Sequence, residues 1–275
     1  MDSPFPPFDP DGDDDKPAVQ QDDTAVRLRD IPLRTIFPNL LTLLAICSGL
    51  TAIRFAIEGS IELAVAAIIF AGFLDGIDGR VARFLKSTTR FGAEMDSLAD
   101  FVNFGVAPAI LLYFTMLSQV KSLGWIAALI YASCACLRLA RFNVMLDNPD
   151  QPKWRNRFFI GVPAPAGALA VLLPVYLTLL GVPNDPTSAF VATGYTMICG
   201  FLMVSNLPTF SGKDISQKVR RDLVLPFMIL AVFLAAVVIS YPWEILTAFA
   251  VLYLCSLPIS YRNWLRYLRQ DEQQS

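Results

Sequence analysis

This sequence predicts an all-helical, polytopic membrane protein with about eight transmembrane helices and both termini in the cytoplasm. Three observations carry that expectation. The 275 residues are 55% hydrophobic with a mean hydropathy of +0.50, too apolar for an ordinary soluble domain. Several apolar runs approach ~20 residues, the length a helix needs to cross the hydrocarbon layer. The basic residues are sorted to one side of those runs, as they are in cytoplasmic loops.

The chain opens on an acidic leader, residues 1–26, where Asp2, Asp9, Asp11, Asp13, Asp14, Asp15, Asp22 and Asp23 face Lys16 alone. This stretch is too polar and proline-rich to bury a core and is expected to be disordered. It does not have the pattern of a cleavable signal peptide, so the spans themselves are expected to act as insertion signals. Residues 27–37, within "TAVRLRDIPLRTIF", read as a short basic amphipathic segment lying along the interface. A transmembrane domain over 38–261 and a tail over 262–275 complete the division.

The spans follow in order. Pro38–Ile57 runs outward and Ile61–Gly79 returns, delivering Arg80, Arg83, Lys86 and Arg90 to the inner side. Leu98–Leu117 and Leu123–Val144 form the next pair, and Arg138, Arg141, Lys153, Arg155 and Arg157 lie at its inner end. Val162–Leu180 and Thr187–Asn206 lead to Lys213, Lys218, Arg220 and Arg221, and Leu223–Ser240 and Trp243–Tyr261 lead to the basic tail. Of the 22 basic residues only Arg54 and Lys121 fall opposite, an asymmetry that seven or nine spans would scramble. The net charge of −2 hides this, because the acidic leader offsets a basic remainder.

Cys47, Cys134, Cys136, Cys199 and Cys255 all fall inside predicted spans without metal-binding spacing and are expected to be buried packing. The chain has no histidine, which excludes an imidazole base and a histidine-built metal site. An all-oxygen site for a hard divalent cation stays open.

The chemistry concentrates in "DGIDGRVARFLKSTTRFGAEMDSLAD", Asp75 to Asp100. Asp75 and Asp78 are three apart, Asp96 and Asp100 four apart, so each pair projects from one helix face. Consecutive spans joined by a short loop run side by side, which brings the four carboxylates together. Protons or metal ions must then neutralise them, and two divalent cations would also bind a pyrophosphate. Gly79 and Gly92 leave room for close approach to the backbone. Arg83 could clamp a phosphate, and Thr88 and Thr89 add hydroxyls. One or two such acids would read as interfacial residues paired with Arg80, Arg83 or Arg90. Four at helical spacing, with glycine on the same face, favour a site. A cation transporter would spread its acids over several helices near the midplane, whereas these cluster at one interface.

The stretch resembles the signature of the CDP-alcohol phosphatidyltransferases, D-x2-D-G-x2-A-R-x8-G-x3-D-x3-D, at Asp75, Asp78, Gly79, Ala82, Arg83, Gly92, Asp96 and Asp100. The resemblance implies a six-helix membrane core, usually a homodimer, with a two-metal aspartate site open to the cytoplasm, here extended by two helices. It implies that Asp75, Asp78 and Asp96 ligate Mg2+ or Mn2+, with Asp75 and Asp96 bridging both ions. Asp100 would complete the second ion's shell and serve as general base. Gly79 and Arg83 would contact the CDP-linked lipid and Thr89 a phosphate. "PNLLT", Pro38–Thr42, resembles the first-helix segment that meets the cytidine diphosphate, pointing to Asn39 and Thr42. By residue type alone, those two could equally bond a neighbouring helix.

The acceptor alcohol is read from other segments. "SLADFVNFGVAPA", "CLRLARFNV", "FIGVPAPAGA" and, more weakly, "LMVSNLPTF" resemble the branch of the family that transfers to L-serine. The serine carboxylate needs a cation, and Arg138 and Arg141 are the candidates, although the positive-inside rule alone would also place basic residues there. The expected reaction moves the phosphatidyl group of CDP-diacylglycerol to L-serine in phospholipid biosynthesis, at the cytoplasmic face of the inner membrane. Glycerol 3-phosphate is the rival acceptor, and no nucleic-acid partner is expected.

Overall fold

The structure, a computed structural model, describes residues 33–85, 87, 89–146, 158–205, 208–210, 233 and 236–272. The acidic leader and the start of the basic segment therefore lie outside the described residues. So do Lys86, Thr88 and most of the predicted span Leu223–Ser240. Every other predicted span is occupied by helix.

Helix α1, Leu33–Ile57, and helix α2, Ile61–Phe84, form an antiparallel hairpin around the Glu58–Ser60 turn, where Gly59 takes φ +78°. Ser48 donates to the Ala67 carbonyl at 2.8 Å, and small side chains such as Ala45, Ala52, Ala64 and Ala71 let the backbones approach. Helix α3, Arg90–Asp100, passes through a π-helical segment, Phe101–Val106, into α4, Ala107–Thr115. The third predicted span begins at Leu98, but the helix begins at Arg90 and so carries Asp96 in its second turn and Asp100 at its end. A 3-10 turn, Leu117–Val120, leads to α5, Ser122–Leu146.

Two proline breaks in these helices are resolved in the same way. Pro108 has no N–H to offer the Phe104 carbonyl, which instead accepts from the buried Tyr131 hydroxyl at 3.0 Å. The predicted span Val162–Leu180 is in fact two helices, α6, Ala164–Val171, and α7, Leu173–Leu179, broken at Leu172. Pro174 leaves the Ala170 carbonyl without its helical donor, and the Tyr195 hydroxyl supplies one at 2.6 Å. Without water, a spanning helix tolerates a break only where a neighbour satisfies the freed carbonyl. Tyr195 belongs to α8, Pro186–Val204, which starts at a capping box in which Asp185 accepts from the Ser188 N–H at 2.9 Å. That bond holds the Asp185 carboxyl below its usual range.

The all-helical expectation needs one small correction. Strand β1, Phe158–Ile160, pairs antiparallel with β2, Pro208–Phe210, in the register Phe158↔Phe210. This ribbon links the chain before α6 to the chain after α8. The last helix, α9, is Pro242–Glu272. It lays Trp243, Leu246, Ala250, Tyr253 and Leu257 against the core, spacings of three and four that define one face.

Among the described residues, four helical stretches are long and apolar enough to cross a membrane: Ile36–Ile57, Arg90–Thr115, Ser122–Met145 and Pro186–Val204. Large apolar side chains such as Leu40, Leu44, Phe73, Leu137, Phe190 and Ile198 cover the outside of the bundle, a surface suited to lipid and not to water. The chain is an integral membrane protein. Cysteine packing departs from expectation. Cys134 and Cys199 are buried, but Cys47, Cys136 and Cys255 lie on the outside of the bundle, where an apolar solvent accepts a thiol as readily as a core does.

Candidate active site

Asp75 and Asp78 stand toward the carboxyl end of α2, Asp96 and Asp100 on α3. The turn between the helices is short because Thr89 caps α3 at once. Its backbone is extended, and its hydroxyl oxygen accepts from the Gly92 N–H at 3.0 Å. This capping role was not legible in the family pattern, which offered Thr89 only as a phosphate contact; the Thr89 O–H proton is still free to donate.

The hairpin brings one carboxylate oxygen each of Asp75, Asp78 and Asp96 within 4.8 Å of one another. Asp100 lies against Asp75, and its Oδ1 is buried without a hydrogen-bond partner among the described residues. The simplest alternative to a site was pairing with nearby arginines, and the geometry does not supply it. The one ion pair among the described residues is Arg54 with Glu58 at 2.7 Å, far along the chain. Arg83 is exposed and its Nε donates to the Gly79 carbonyl of its own helix at 3.0 Å. Carboxylates clustered this closely, with no ion pair among the described residues, need a cation from elsewhere or must hold protons. An all-oxygen donor set of this kind suits a hard divalent ion such as Mg2+ or Mn2+.

Helix α1 supplies the wall of the cluster. Asp78 is only 3% exposed and accepts from the Thr42 hydroxyl at 2.7 Å. That hydroxyl also lies 3.2 Å from the Pro38 carbonyl, but its single proton belongs to the shorter, charge-assisted bond. Thr42 thus orients a carboxylate of the cluster. Asn39, one turn earlier, sits beside Gly92, where a Cβ would approach its Oδ1 to 3.0 Å. Gly79 is exposed, and a Cβ there would meet nothing within 4 Å, so open space adjoins the aspartates on that side.

The two candidate acceptor arginines separate. Arg138 on α5 is 9% exposed, lies with its guanidinium carbon 5.8 Å from the Phe142 ring centre, and is within electrostatic reach of Asp100. Arg141 is exposed and donates to the Val204 carbonyl at 2.9 Å, tying α5 to the end of α8. A further tie escaped the sequence reading. Ser97 and Asn143 are hydrogen-bonded at 3.0–3.1 Å and hold α3 to α5 beside Asp96. Asn143 falls in the "RLARFN" stretch and could have been found only by knowing which way α5 is turned.

The CDP-alcohol phosphatidyltransferase family model matches residues 35–209, and a second model, CDP-alcohol phosphatidyltransferase 2, matches residues 222–258. The chain belongs to the CDP-alcohol phosphatidyltransferase family. Among its relatives is the CDP-diacylglycerol–serine O-phosphatidyltransferase of Mycobacterium leprae, 44% identical over 232 residues, covering 84% of this chain and 76% of that protein. The enzyme of the same name from Mycobacterium tuberculosis is 40% identical over 84% of this chain and 80% of its own length. The one from Helicobacter pylori is 36% identical over 80% and 88%.

Proposed function

We propose that this protein transfers the phosphatidyl group of CDP-diacylglycerol to the hydroxyl of L-serine, forming phosphatidylserine and CMP. The observation that carries the reading is the carboxylate cluster of Asp75, Asp78 and Asp96, which makes no ion pair among the described residues. Relatives named for the serine reaction, matching most of the chain, support the choice of acceptor.

Asp75, Asp78 and Asp96 would hold two divalent cations, Mg2+ or Mn2+, with Asp100 completing the second ion's shell. Bound there, the ions supply charge neutralisation for the diphosphate and the departing CMP. Thr42 keeps Asp78 turned inward. Gly79 leaves open space for the nucleotide, Arg83 stands at its edge, and Asn39 and Thr89 offer polar groups beside it. Asp100 takes the proton of the acceptor hydroxyl as its oxygen attacks the β-phosphorus, and Arg138 offers positive charge to the serine carboxylate. A carboxylate is a weak base, so placement beside the reacting hydroxyl matters more than its intrinsic basicity.

The test is purified protein with CDP-diacylglycerol and either L-serine or glycerol 3-phosphate, scoring CMP release and lipid product. Release is expected with serine, to vanish with a chelator and to return with magnesium or manganese. Release with glycerol 3-phosphate alone would overturn the acceptor, and turnover in thoroughly chelated protein would overturn the metal site.

The basic loops support an inner-membrane protein of eight spans with both termini and the aspartates facing the cytoplasm. Reporter fusions after Asp150 and after Lys213 should both read cytoplasmic. A periplasmic signal from either would refute that topology.

A further inference from the structure

The turn between α4 and α5 holds an open cavity of about 540 Å³, lined by Tyr113, Ser118, Lys121, Ser122, Trp125 and Ile126. That volume falls within the ~300–1,000 Å³ of small-molecule sites. The cavity lies at the end of the bundle away from the aspartates, because helix runs from Asp96 to Thr115 before the turn, a rise of roughly 30 Å. Two membrane-length stretches, Arg90–Thr115 and Ser122–Met145, stop and start there, which puts it at headgroup level. Its walls are held in place. Leu117 is fully buried under the turn, Gln119 Nε2 donates to Asn184 Oδ1 at 2.7 Å, and Asn184 Nδ2 donates to the Thr115 carbonyl at 2.8 Å. The Tyr113 and Trp125 rings meet edge to face with centres 5.0 Å apart. Lys121 takes φ +52° and is the one non-glycine residue with positive φ among the described residues. Glycine would adopt that backbone freely, whereas a lysine there is strained.

We propose that this cavity binds the phosphate headgroup of an anionic phospholipid, drawn from the leaflet opposite the one that meets the aspartates. Its polar side chains can all donate: the Lys121 ammonium, the Ser118, Ser122 and Tyr113 hydroxyls and the Trp125 indole N–H. Lys121 is the one charged residue among those that line it. A phosphodiester therefore gains an ion pair and hydroxyl donors together. The quaternary ammonium of a zwitterionic headgroup would meet the lysine and find no carboxylate, which selects for net negative charge. The apolar side of the cavity continues onto lipid. Ile126 is exposed, as are Leu123 and Leu129 on α5, and their spacing of three puts them on one face for a glycerol backbone and its first methylenes. Tyrosine and tryptophan at span ends ordinarily anchor a helix at the headgroups. Anchoring alone requires neither a cavity nor a strained lysine. The site does not depend on which alcohol the enzyme accepts.

The experiment titrates purified full-length protein in non-ionic detergent with dioctanoyl phosphatidylglycerol, dioctanoyl phosphatidylcholine or inorganic phosphate, read by calorimetry. Wild type should bind the phosphatidylglycerol saturably and more tightly than the phosphatidylcholine. Lys121→Gln should weaken that binding by about fivefold, the effect of one cation at a membrane surface, and Lys121→Arg should keep it. Trp125→Leu, which removes the ring and its N–H, should weaken it independently. CDP-diacylglycerol should bind wild type and all three variants alike, because the aspartates lie at the other end of the helices. Unchanged phosphatidylglycerol affinity in both Lys121→Gln and Trp125→Leu would overturn the proposal. So would inorganic phosphate that binds as tightly as the lipid. A parallel loss of CDP-diacylglycerol binding would also overturn it, since the lipid would then have been read at the aspartates.

Discussion

Asp100→Asn should stop serine-dependent CMP release while leaving CDP-diacylglycerol bound. The substitution keeps the shape of the side chain and removes its ability to take a proton. Asp75, Asp78 and Asp96, whose oxygens lie within 4.8 Å of one another, remain, as does the Thr42 bond that orients Asp78. The first ion and the nucleotide side of the site should therefore survive. No imidazole exists anywhere in the chain to substitute as base. Loss of a general base costs ~10²–10⁴ in rate, and loss of the proposed ligand to a second ion would add to that. Asp75→Asn or Asp96→Asn should behave differently, losing ion binding and activity together, because each is assigned to both ions. The decisive measurement pairs liponucleotide binding with serine-dependent turnover in the Asp100→Asn protein. Near-normal turnover would show that Asp100 is neither base nor essential ligand.

Gly161→Ala should give the largest loss of stability among single-methyl additions near the ribbon. Gly161 follows β1 directly and takes φ +81°, where an L side chain is strained by about 1–2 kcal/mol. A Cβ there would also sit 2.5 Å from the Met203 carbonyl oxygen and 3.1 Å from that of Ser205. Both are backbone atoms at the end of α8 and cannot swing aside as a side chain would. Overpacking of this kind costs a further ~1–3 kcal/mol. The damage should spread to the site, because Arg141 bonds the neighbouring Val204 carbonyl and so links α8 to the helix that carries Arg138. Thermal unfolding in detergent reads the first effect and the KM for serine reads the second. A variant that melts with wild type would mean that the turn is free to rearrange.

Much of this protein is local and so could be read along the chain. An apolar run of ~20 residues becomes a helix in a bilayer whatever surrounds it, because its backbone has no other hydrogen-bond partner there. The spacing of Asp75, Asp78, Asp96 and Asp100 is likewise a property of two short stretches, and a three-residue or four-residue interval on a helix gives one face without reference to the rest of the molecule. Other features depend on how each helix is turned about its axis and which neighbour it meets. Thr42 and Asp78 are 36 residues apart, Ser97 and Asn143 are 46 apart, and their bonds form only because α1 meets α2 and α3 meets α5 at particular rotations. The same cause splits Arg138 from Arg141, three residues apart on one helix: one is buried toward Asp100, while the other reaches the end of α8. It also determines that the carbonyls freed by Pro108 and Pro174 are met by Tyr131 and Tyr195. Helix rotation is set by side-chain packing summed over every neighbour, and no window of sequence contains that sum.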